Sequence, residues 1–245
     1  MDKEYIVLNT LVFLKDLQAG INQSLLMKKV NKLGIKNIEV RREYINDFES
    51  ELKDIREQAE KYGMKIFYSV PKVLYRENKL LKQELEKYLN EAKIMGCKNI
   101  KFNIGDFKYI NCEDANIIRN LCDMYGVHIT VENDQTIENG SCDKIYRFLS
   151  IMKELNSNIT FTFDIGNWIF QNEDSLENAK VLRTFVTYIH LKDLDEAKKT
   201  VLLDEGSLNW KRILKVLPNN VPIALEYPCN TLEEIVTEIQ KLMVL

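Results

Sequence analysis

The sequence has little histidine, no paired cysteines and no long apolar run, and each absence excludes a class of protein. Two histidines and five scattered cysteines, with no Cys-x-x-Cys pair, are too few for a Cys/His zinc site or a histidine-rich cluster of several zinc ions. No stretch approaches the ~18 consecutive apolar residues that span a bilayer, and the first residues do not resemble a secretory signal. An odd set of cysteines is typical of a reducing compartment, so we expect a cytoplasmic protein.

Glycine and proline are also scarce, and neither sign of charge dominates. Nine glycines and four prolines in 245 residues, with 45% apolar and 29% charged residues, are typical of a folded globular chain. Thirty-four basic and 37 acidic residues give a net charge of -3. Because this balance provides no broad attraction for a phosphate backbone or an anionic membrane, we expect neither nucleic acid nor membrane as a partner.

What the sequence does contain is a regular alternation of β-rich and helical segments. The β-rich runs begin near residues 5, 37, 65, 99, 128, 159, 187 and 222, about 31 residues apart, and each precedes a stretch with helical periodicity. Eight such units fill residues 1–245 and leave no linker. We therefore predict a single α/β domain, a closed parallel (β/α)8 barrel of the TIM type, rather than an open doubly wound sheet.

Residues at the helix ends support this pattern. Four glycines, 29 to 33 residues apart, each follow a helical segment and precede a strand, where glycine can adopt the left-handed conformation that ends a helix. At the helix starts, Asn46 with Glu49 and Thr231 with Glu234 have the spacing of a capping box. The glycines are Gly34, Gly63, Gly96 and Gly126.

Alternation along the last four strands places a polar side chain inside the barrel at each carboxyl end. In the strand that begins at His128, apolar Ile129 and Val131 should face the helices, which turns Glu132 inward. The same alternation turns one polar side chain inward at the end of each later strand, namely Asp164, His190 and Glu226. The carboxyl ends of barrel strands form the active-site face, so we expect these four side chains to meet there.

Three carboxylates that converge in a barrel would repel one another unless a cation lies among them. We therefore predict a divalent metal bound by Glu132, Asp164, His190 and Glu226. Three oxygen ligands and one nitrogen suit Mn²⁺ best, followed by Mg²⁺, with Co²⁺, Zn²⁺ and Fe²⁺ as further options. The alternative is structural, since a single acid at a strand end often caps a helix and a lone histidine often packs in a core.

The earlier strands and the position after His190 add further polar groups to the same mouth. Alternation turns Glu39 and Arg41 inward on the second strand and Lys101 and Asn103 inward on the fourth, while Lys192 follows His190 with the same parity. We expect these residues to bind an anionic or hydroxyl-rich small molecule. The alternative is an internal ion-pair lattice, with Glu39 paired to Arg41 or Lys101, that only fills the barrel.

Five motifs in the second half of the chain carry a resemblance to a known family. They are Val131-Glu132-Asn133, Phe163-Asp164-Ile165-Gly166-Asn167, Ile189-His190-Leu191-Lys192-Asp193, Gly206-Ser207-Leu208-Asn209-Trp210 and Leu225-Glu226. In this order and spacing they resemble the motifs of the xylose isomerase-like barrels, and more narrowly of the sugar phosphate isomerase/epimerase group. The resemblance implies that the family's metal ligands fall on the same four residues that the alternation selects.

The resemblance extends to the substrate-binding residues only in part. Glu138, six residues after Glu132, matches a glutamate that supports the first ligand in the family, and we expect it near the substrate. Asn167 stands where the epimerases often have a substrate-binding histidine, and Glu196 stands where they usually have an arginine. The family's endonucleases use a histidine-rich three-zinc site, which two histidines cannot build.

The resemblance implies an isomerase or epimerase of class EC 5 that acts on a small sugar, sugar phosphate or related hydroxy-carbonyl compound through an ene-diolate. Glu132 and Glu226 would be the catalytic pair, with Lys101 or Lys192 steadying an oxyanion or phosphate. One alternative is a metal-dependent dehydratase of a keto-inositol-like substrate, with Lys192 or Glu39 as general acid. Another is a barrel that binds sugar without turnover. The oligomeric state stays open, with a homo-oligomer among the options.

Overall fold

Eight parallel strands close into a barrel in the computed structural model, which describes residues 1–244. Each strand pairs in parallel with its neighbours in the sequence, and the eighth pairs with the first through Leu225 and Leu8. The predicted closed (β/α)8 barrel is therefore confirmed, while Leu245, the last residue of the predicted domain, lies outside the described residues. The strands are β1 (Ile6–Asn9), β2 (Asn37–Arg41), β3 (Lys65–Arg76), β4 (Asn99–Gly105), β5 (His128–Glu132), β6 (Thr160–Asp164), β7 (Val186–Leu191) and β8 (Ile223–Leu225).

Helices follow the strands and surround the barrel. The large apolar core lies between the helices and the outward faces of the strands, where Ile6 and Leu8 of β1 are fully buried. Among the described residues, no helix is both long enough and apolar enough to span a membrane. The helices are α1 (Leu14–Gln18), α2 (Gln23–Lys32), α3 (Glu51–Tyr62), α4 (Lys82–Met95), α5 (Cys112–Tyr125), α6 (Cys142–Glu154), α7 (Ser175–Leu182), α8 (Trp210–Leu214) and α9 (Leu232–Met243).

A second, smaller apolar cluster fills the barrel interior and separates the mouth from the opposite end. Val7 alternates with the outward residues of β1, and it packs in this cluster with Phe67, Tyr188 and Ala224. The Phe67 and Tyr188 rings stack with their centroids 4.7 Å apart. Because Tyr188 lies two residues before His190, the polar groups at the carboxyl ends of the strands rest directly on an apolar floor.

Most of the predicted helix ends are observed. The four glycines have φ between 61° and 75°, the left-handed conformation expected at a helix end. Thr231 accepts the Glu234 N–H at the start of α9. The capping box predicted at Asn46 and Glu49 is wrong, because α3 begins only at Glu51. The buried Glu51 carboxylate itself accepts the Asn46 N–H at 2.9 Å, which keeps this segment outside the helix.

Two antiparallel extensions project beyond the barrel at its carboxyl face. β3 continues past the barrel rim and forms a hairpin with the short strand Lys79–Leu80. After β7, the two-residue strands Asp193–Leu194 and Thr200–Val201 pair with each other. These extensions build the walls of the mouth above the strand ends.

Candidate metal centre

The ends of four adjacent strands bring one acid or imidazole each to a common point. Glu132 is the last residue of β5, Asp164 is the last residue of β6, His190 lies on β7, and Glu226 directly follows β8. All four side chains are buried, and one potential ligand atom from each lies within 4.8 Å of the others. The structure thus brings together the four residues that strand alternation predicts as metal ligands.

Each of the four residues presents one inner atom, which faces this point, and one outer atom, which is bound elsewhere. The outer oxygen of Asp164, Oδ1, accepts the N–H groups of Gly166 and Asn167 at 2.8 and 2.9 Å. The outer nitrogen of His190, Nε2, lies 3.0 Å from the Glu39 carboxylate. These contacts fix the orientation of both side chains.

The two glutamates have the same arrangement, with buried cations on their outer oxygens. Lys101 Nζ donates to Glu132 Oε2 at 2.5 Å, and Arg41 donates to Glu226 Oε1 at 2.8 Å. Arg41 is itself held by Glu43 at 2.6 Å. Both pairs are almost fully shielded from solvent, so their charges interact in a medium of low polarity.

The inner atoms are buried and face one another and the ammonium of Lys192, which lies 2.6 Å from Asp164 Oδ2. Within residues 1–244, Glu132 Oε1, Asp164 Oδ2 and His190 Nδ1 make no hydrogen bond of normal geometry. The inner oxygens of Glu132 and Glu226 lie 2.5 and 3.3 Å from His190 Nδ1. Buried polar atoms without well-aligned hydrogen bonds are costly, and a divalent ion could bind all of these atoms at once. Three oxygens and one imidazole nitrogen therefore fit such an ion in both position and chemistry.

The cations around the cluster decide how its acids ionise. Burial would raise the pKa of Glu132, but Lys101 and His190 outweigh burial and lower the pKa to about 2. Burial prevails at Asp164 and raises its pKa to about 7, against the opposing charge of Lys192. At His190, burial would lower the pKa, yet the carboxylates of Glu226, Glu39 and Glu132 raise the pKa well above its ordinary value. Pairing of opposite charges thus holds the cluster together.

A cavity of about 400 Å³ opens above the cluster at the mouth of the barrel. It is lined by Glu132 and Glu226 and, beside them, by five of the residues predicted to bind substrate. Two of these, Asn103 and Asn167, have buried Oδ1 atoms without hydrogen-bond partners in the described chain. The five are Arg41, Lys101, Asn103, Asn167 and Lys192. The arrangement can hold a small, oxygen-rich molecule directly above the inner atoms.

Comparison with known proteins identifies the family. A family model described as the xylose isomerase-like TIM barrel matches residues 27–243. The chain belongs to this family. No curated protein sequence matches the chain.

Several solved structures have a similar fold. D-psicose 3-epimerase, crystallised in the presence of D-fructose, is 16% identical, with a TM-score of 0.69 over 96% of this chain and 89% of its own. A probable 3-DHS dehydratase from Bacillus anthracis is 16% identical, with a TM-score of 0.73 over 97% and 98%. The protein IOLI, solved with a zinc atom bound, is 17% identical, with a TM-score of 0.74 over 98% and 96%. At these identities the likeness shows the fold.

Two residues expected to bind substrate lie elsewhere in this xylose isomerase-like barrel. Glu39 is fully buried, accepts a hydrogen bond from Asn9 Nδ2 at 2.6 Å and faces His190, so it lies behind the candidate metal centre rather than in the cavity. Glu138 is exposed in the loop after β5, so it lies outside the buried cluster that contains Glu132. Lys101 contacts Glu132 instead. The interior ion pairs also differ from the predicted lattice, which pairs Glu39 with Arg41 or Lys101. In the structure Arg41 pairs with Glu226, and Lys101 pairs with Glu132.

Sequence reasoning missed Asn9 and Asp134. Asp134 lines the cavity and accepts Asn103 Nδ2 at 2.5 Å and Asn139 Nδ2 at 2.9 Å, which fixes the side of the mouth above β4 and β5. Asn9 is the last residue of β1 and lies two residues after Val7, so both side chains point into the barrel. Strand alternation applied to β1 would therefore have identified Asn9 as an inward residue. Asp134 lies two residues after Glu132, where alternation continues past the end of the strand.

Proposed function

We propose that the chain is a divalent-metal-dependent isomerase or epimerase of a small sugar, sugar phosphate or related hydroxy-carbonyl compound. The observation that carries this proposal is the set of four buried ligand atoms within 4.8 Å of one another, beneath a polar cavity. The oxygen-rich ligand set favours Mn²⁺, and the zinc in IOLI makes Zn²⁺ the second ion to test. A cytoplasmic location and a homo-oligomer stay predictions from the sequence.

The two glutamates are the proposed catalytic pair because both line the cavity from different strands. A bound divalent ion would act as a Lewis acid on adjacent carbonyl and hydroxyl oxygens of the substrate and stabilise an ene-diolate. One glutamate removes a proton from carbon, and the other, which carries a proton beforehand, donates that proton to the opposite face and so inverts the carbon. Return of the proton to the neighbouring carbon interconverts aldose and ketose.

The outer oxygens are the atoms that we assign to proton transfer. Glu132 Oε2 and Glu226 Oε1 are bound by Lys101 and Arg41, which also line the cavity. A substrate oxygen could accept hydrogen bonds from Lys101 and Arg41, and it would then compete with the two carboxylates for these donors. Each carboxylate would then become a stronger base beside the substrate, while its inner oxygen remains a ligand.

The proposal is tested by solvent exchange. We expect the protein, loaded with Mn²⁺ and incubated with ketoses and ketose phosphates in deuterated water, to introduce deuterium beside the carbonyl of at least one of them, as measured by NMR. Glu132→Gln and Glu226→Gln should each lower the exchange rate at least ~100-fold, while Glu57→Gln, on the exposed face of α3, should not change it. Metal occupancy is measured in every variant. Wild-type exchange in both cavity variants at full occupancy would contradict the two-carboxylate scheme.

A dehydratase is the second candidate, and the position of Lys192 favours it. The Lys192 ammonium lines the cavity beside the inner oxygens, where it can protonate a leaving hydroxyl. Glu39, the other predicted acid, is fully buried and does not line the cavity, which favours Lys192 for this role. Mass spectrometry separates the two reactions, because a dehydratase product is lighter by one water. If no compound incorporates deuterium or loses water, a barrel that binds sugar without turnover becomes the better description.

A further inference from the structure

The three cations of the cavity contact the ligand cluster in two different ways. Lys101 and Arg41 bind the outer oxygens of Glu132 and Glu226, at 2.5 and 2.8 Å. These contacts leave the inner oxygens free to bind an ion. Lys101 and Arg41 are therefore compatible with a metal at the common point.

Lys192 contacts the inner oxygens instead. Its Nζ lies 2.6 Å from Asp164 Oδ2 and 3.4 Å from Glu226 Oε2. Asp164 has no second oxygen to give, because Oδ1 accepts two backbone N–H groups. An ion among the inner atoms and the Lys192 ammonium would thus share the same oxygens at short range, in a space where only 9% of the lysine side chain reaches solvent. Two cations so placed repel each other strongly.

The geometry points to Lys192 as a competitor of the divalent ion. We propose that its ammonium and the ion bind the inner oxygens of Asp164 and Glu226 in alternation, and that ion binding drives Lys192 into the cavity. The Lys192 side chain already lines this cavity, and its ammonium is carried on a flexible four-carbon chain. The movement therefore needs only rotation of side-chain bonds. The inference rests on the proposed metal centre and adds an order of events, in which Lys192 reaches the substrate only after the ion has bound.

Affinity for Mn²⁺ tests the competition, with Lys101 as a matched control. Lys192→Met and Lys101→Met each remove one buried ammonium from the same cluster. If Lys192 competes, Lys192→Met should bind Mn²⁺ at least ~10-fold more tightly than wild type, since the loss of the cation leaves two inner oxygens free for the ion. Lys101→Met should show no such gain, because its partner is an outer oxygen. Equal gains in both variants would show a general charge effect and overturn the competition.

A second measurement uses the unaltered protein, in case Lys192→Met does not fold. Lysines are acetylated with and without saturating Mn²⁺, and the rates are read from peptides by mass spectrometry. We expect Mn²⁺ to raise the rate at Lys192 at least ~5-fold, while Lys101 changes less than ~2-fold. An unchanged rate at Lys192 with Mn²⁺ bound would overturn this inference alone. Absence of Mn²⁺ and Zn²⁺ binding in wild type would overturn the metal centre and this inference with it.

Discussion

His190 shows how strongly one ligand depends on residues outside the metal centre. Its Nε2 lies 3.0 Å from Glu39, and Glu39 is held by Asn9 on the neighbouring strand. When an ion displaces the proton on Nδ1, Nε2 can keep its proton and donate it to Glu39, so that the Nδ1 lone pair faces the ion. A fully buried carboxylate thus sets the ring orientation that a metal site needs.

Replacing Glu39 with glutamine should weaken metal binding. Glu39→Gln removes the charge that supports His190, and we expect Mn²⁺ affinity to fall ~10-fold or more, as measured by equilibrium dialysis. Glu91→Gln is the matched control, since Glu91 is also buried but binds Arg42 and Tyr68 away from the cluster. It should lower the free energy of unfolding and leave Mn²⁺ affinity unchanged. Equal affinity in wild type and Glu39→Gln would contradict the role of Glu39.

Cysteine reactivity also differs from one residue to another. Cys112 is exposed, whereas burial raises the pKa of Cys97 to about 12, and the other three thiols have similarly raised values. Because the thiolate is the reactive form, a thiol reagent at pH 8 should modify Cys112 in a fast phase and the others slowly. Cys112→Ser should remove that phase. A fast phase that persists in the variant would contradict this assignment.

Strand alternation was sufficient to select the four residues that the structure brings together in the candidate centre, since the direction of a side chain on a strand follows from its neighbours in the sequence. It could not select their partners. Glu39 points inward as predicted, yet whether it meets His190 or the substrate depends on its height in the barrel. Glu138 lies in a loop, where no periodicity fixes the direction of a side chain.

At the scale of elements, the hairpin above β3 and β4 depends on a close approach of two backbones. Gly105 pairs with Tyr75 and has φ +83°, and a Cβ at this position would lie 2.0 Å from the Tyr75 carbonyl oxygen. The Gly105 N–H also donates to Asn139 Oδ1, which itself binds Asp134 at the cavity. This glycine therefore joins the hairpin to the mouth.

Alanine at Gly105 should be far more costly than alanine at an open position of similar conformation. We expect Gly105→Ala to lower the free energy of unfolding by more than ~3 kcal/mol, because the added carbon meets backbone that cannot move aside. Gly20 has φ +76° and nothing within 4 Å of an added Cβ, so Gly20→Ala should cost only ~1 kcal/mol. Urea denaturation measures both. Similar losses would mean that backbone strain, rather than overlap, determines the cost.

The starts of all eight strands lie within one residue of their predicted positions, because each strand begins an apolar run that a stretch of helical periodicity follows. The extension of β3 to Arg76 was not predictable, since it depends on pairing with β4 and with Lys79–Leu80. The failed capping box has the same origin. Its spacing is local, but the Glu51 carboxylate also accepts the N–H of Gln23, at the start of α2, which the sequence pattern does not show.

At the scale of the whole molecule, the candidate centre joins half of the barrel. Its ligands come from β5, β6, β7 and the end of β8, and β8 pairs with β1 to close the ring. An ion bound there would hold these strand ends together only in the folded state. Metal binding and unfolding are therefore linked.

Mn²⁺ should stabilise the entire fold. At a free concentration 100 times its dissociation constant, it should raise the free energy of unfolding by ~2.7 kcal/mol, as measured by urea denaturation with Mn²⁺ or with EDTA. His190→Asn, which removes the imidazole ligand, should abolish the increase. An equal increase in that variant would place the stabilising ion at another site.

The apolar floor formed by Val7, Phe67, Tyr188 and Ala224 closes the barrel interior beneath the mouth. With the stacked rings of Phe67 and Tyr188 across the interior, a molecule cannot traverse the barrel from end to end. Whatever is made above the cluster must depart by the route that the next reactant takes. Under the proposed reaction, product and substrate cannot occupy the cavity together. We therefore expect competitive product inhibition, and each turnover requires that the product leave before the next substrate binds.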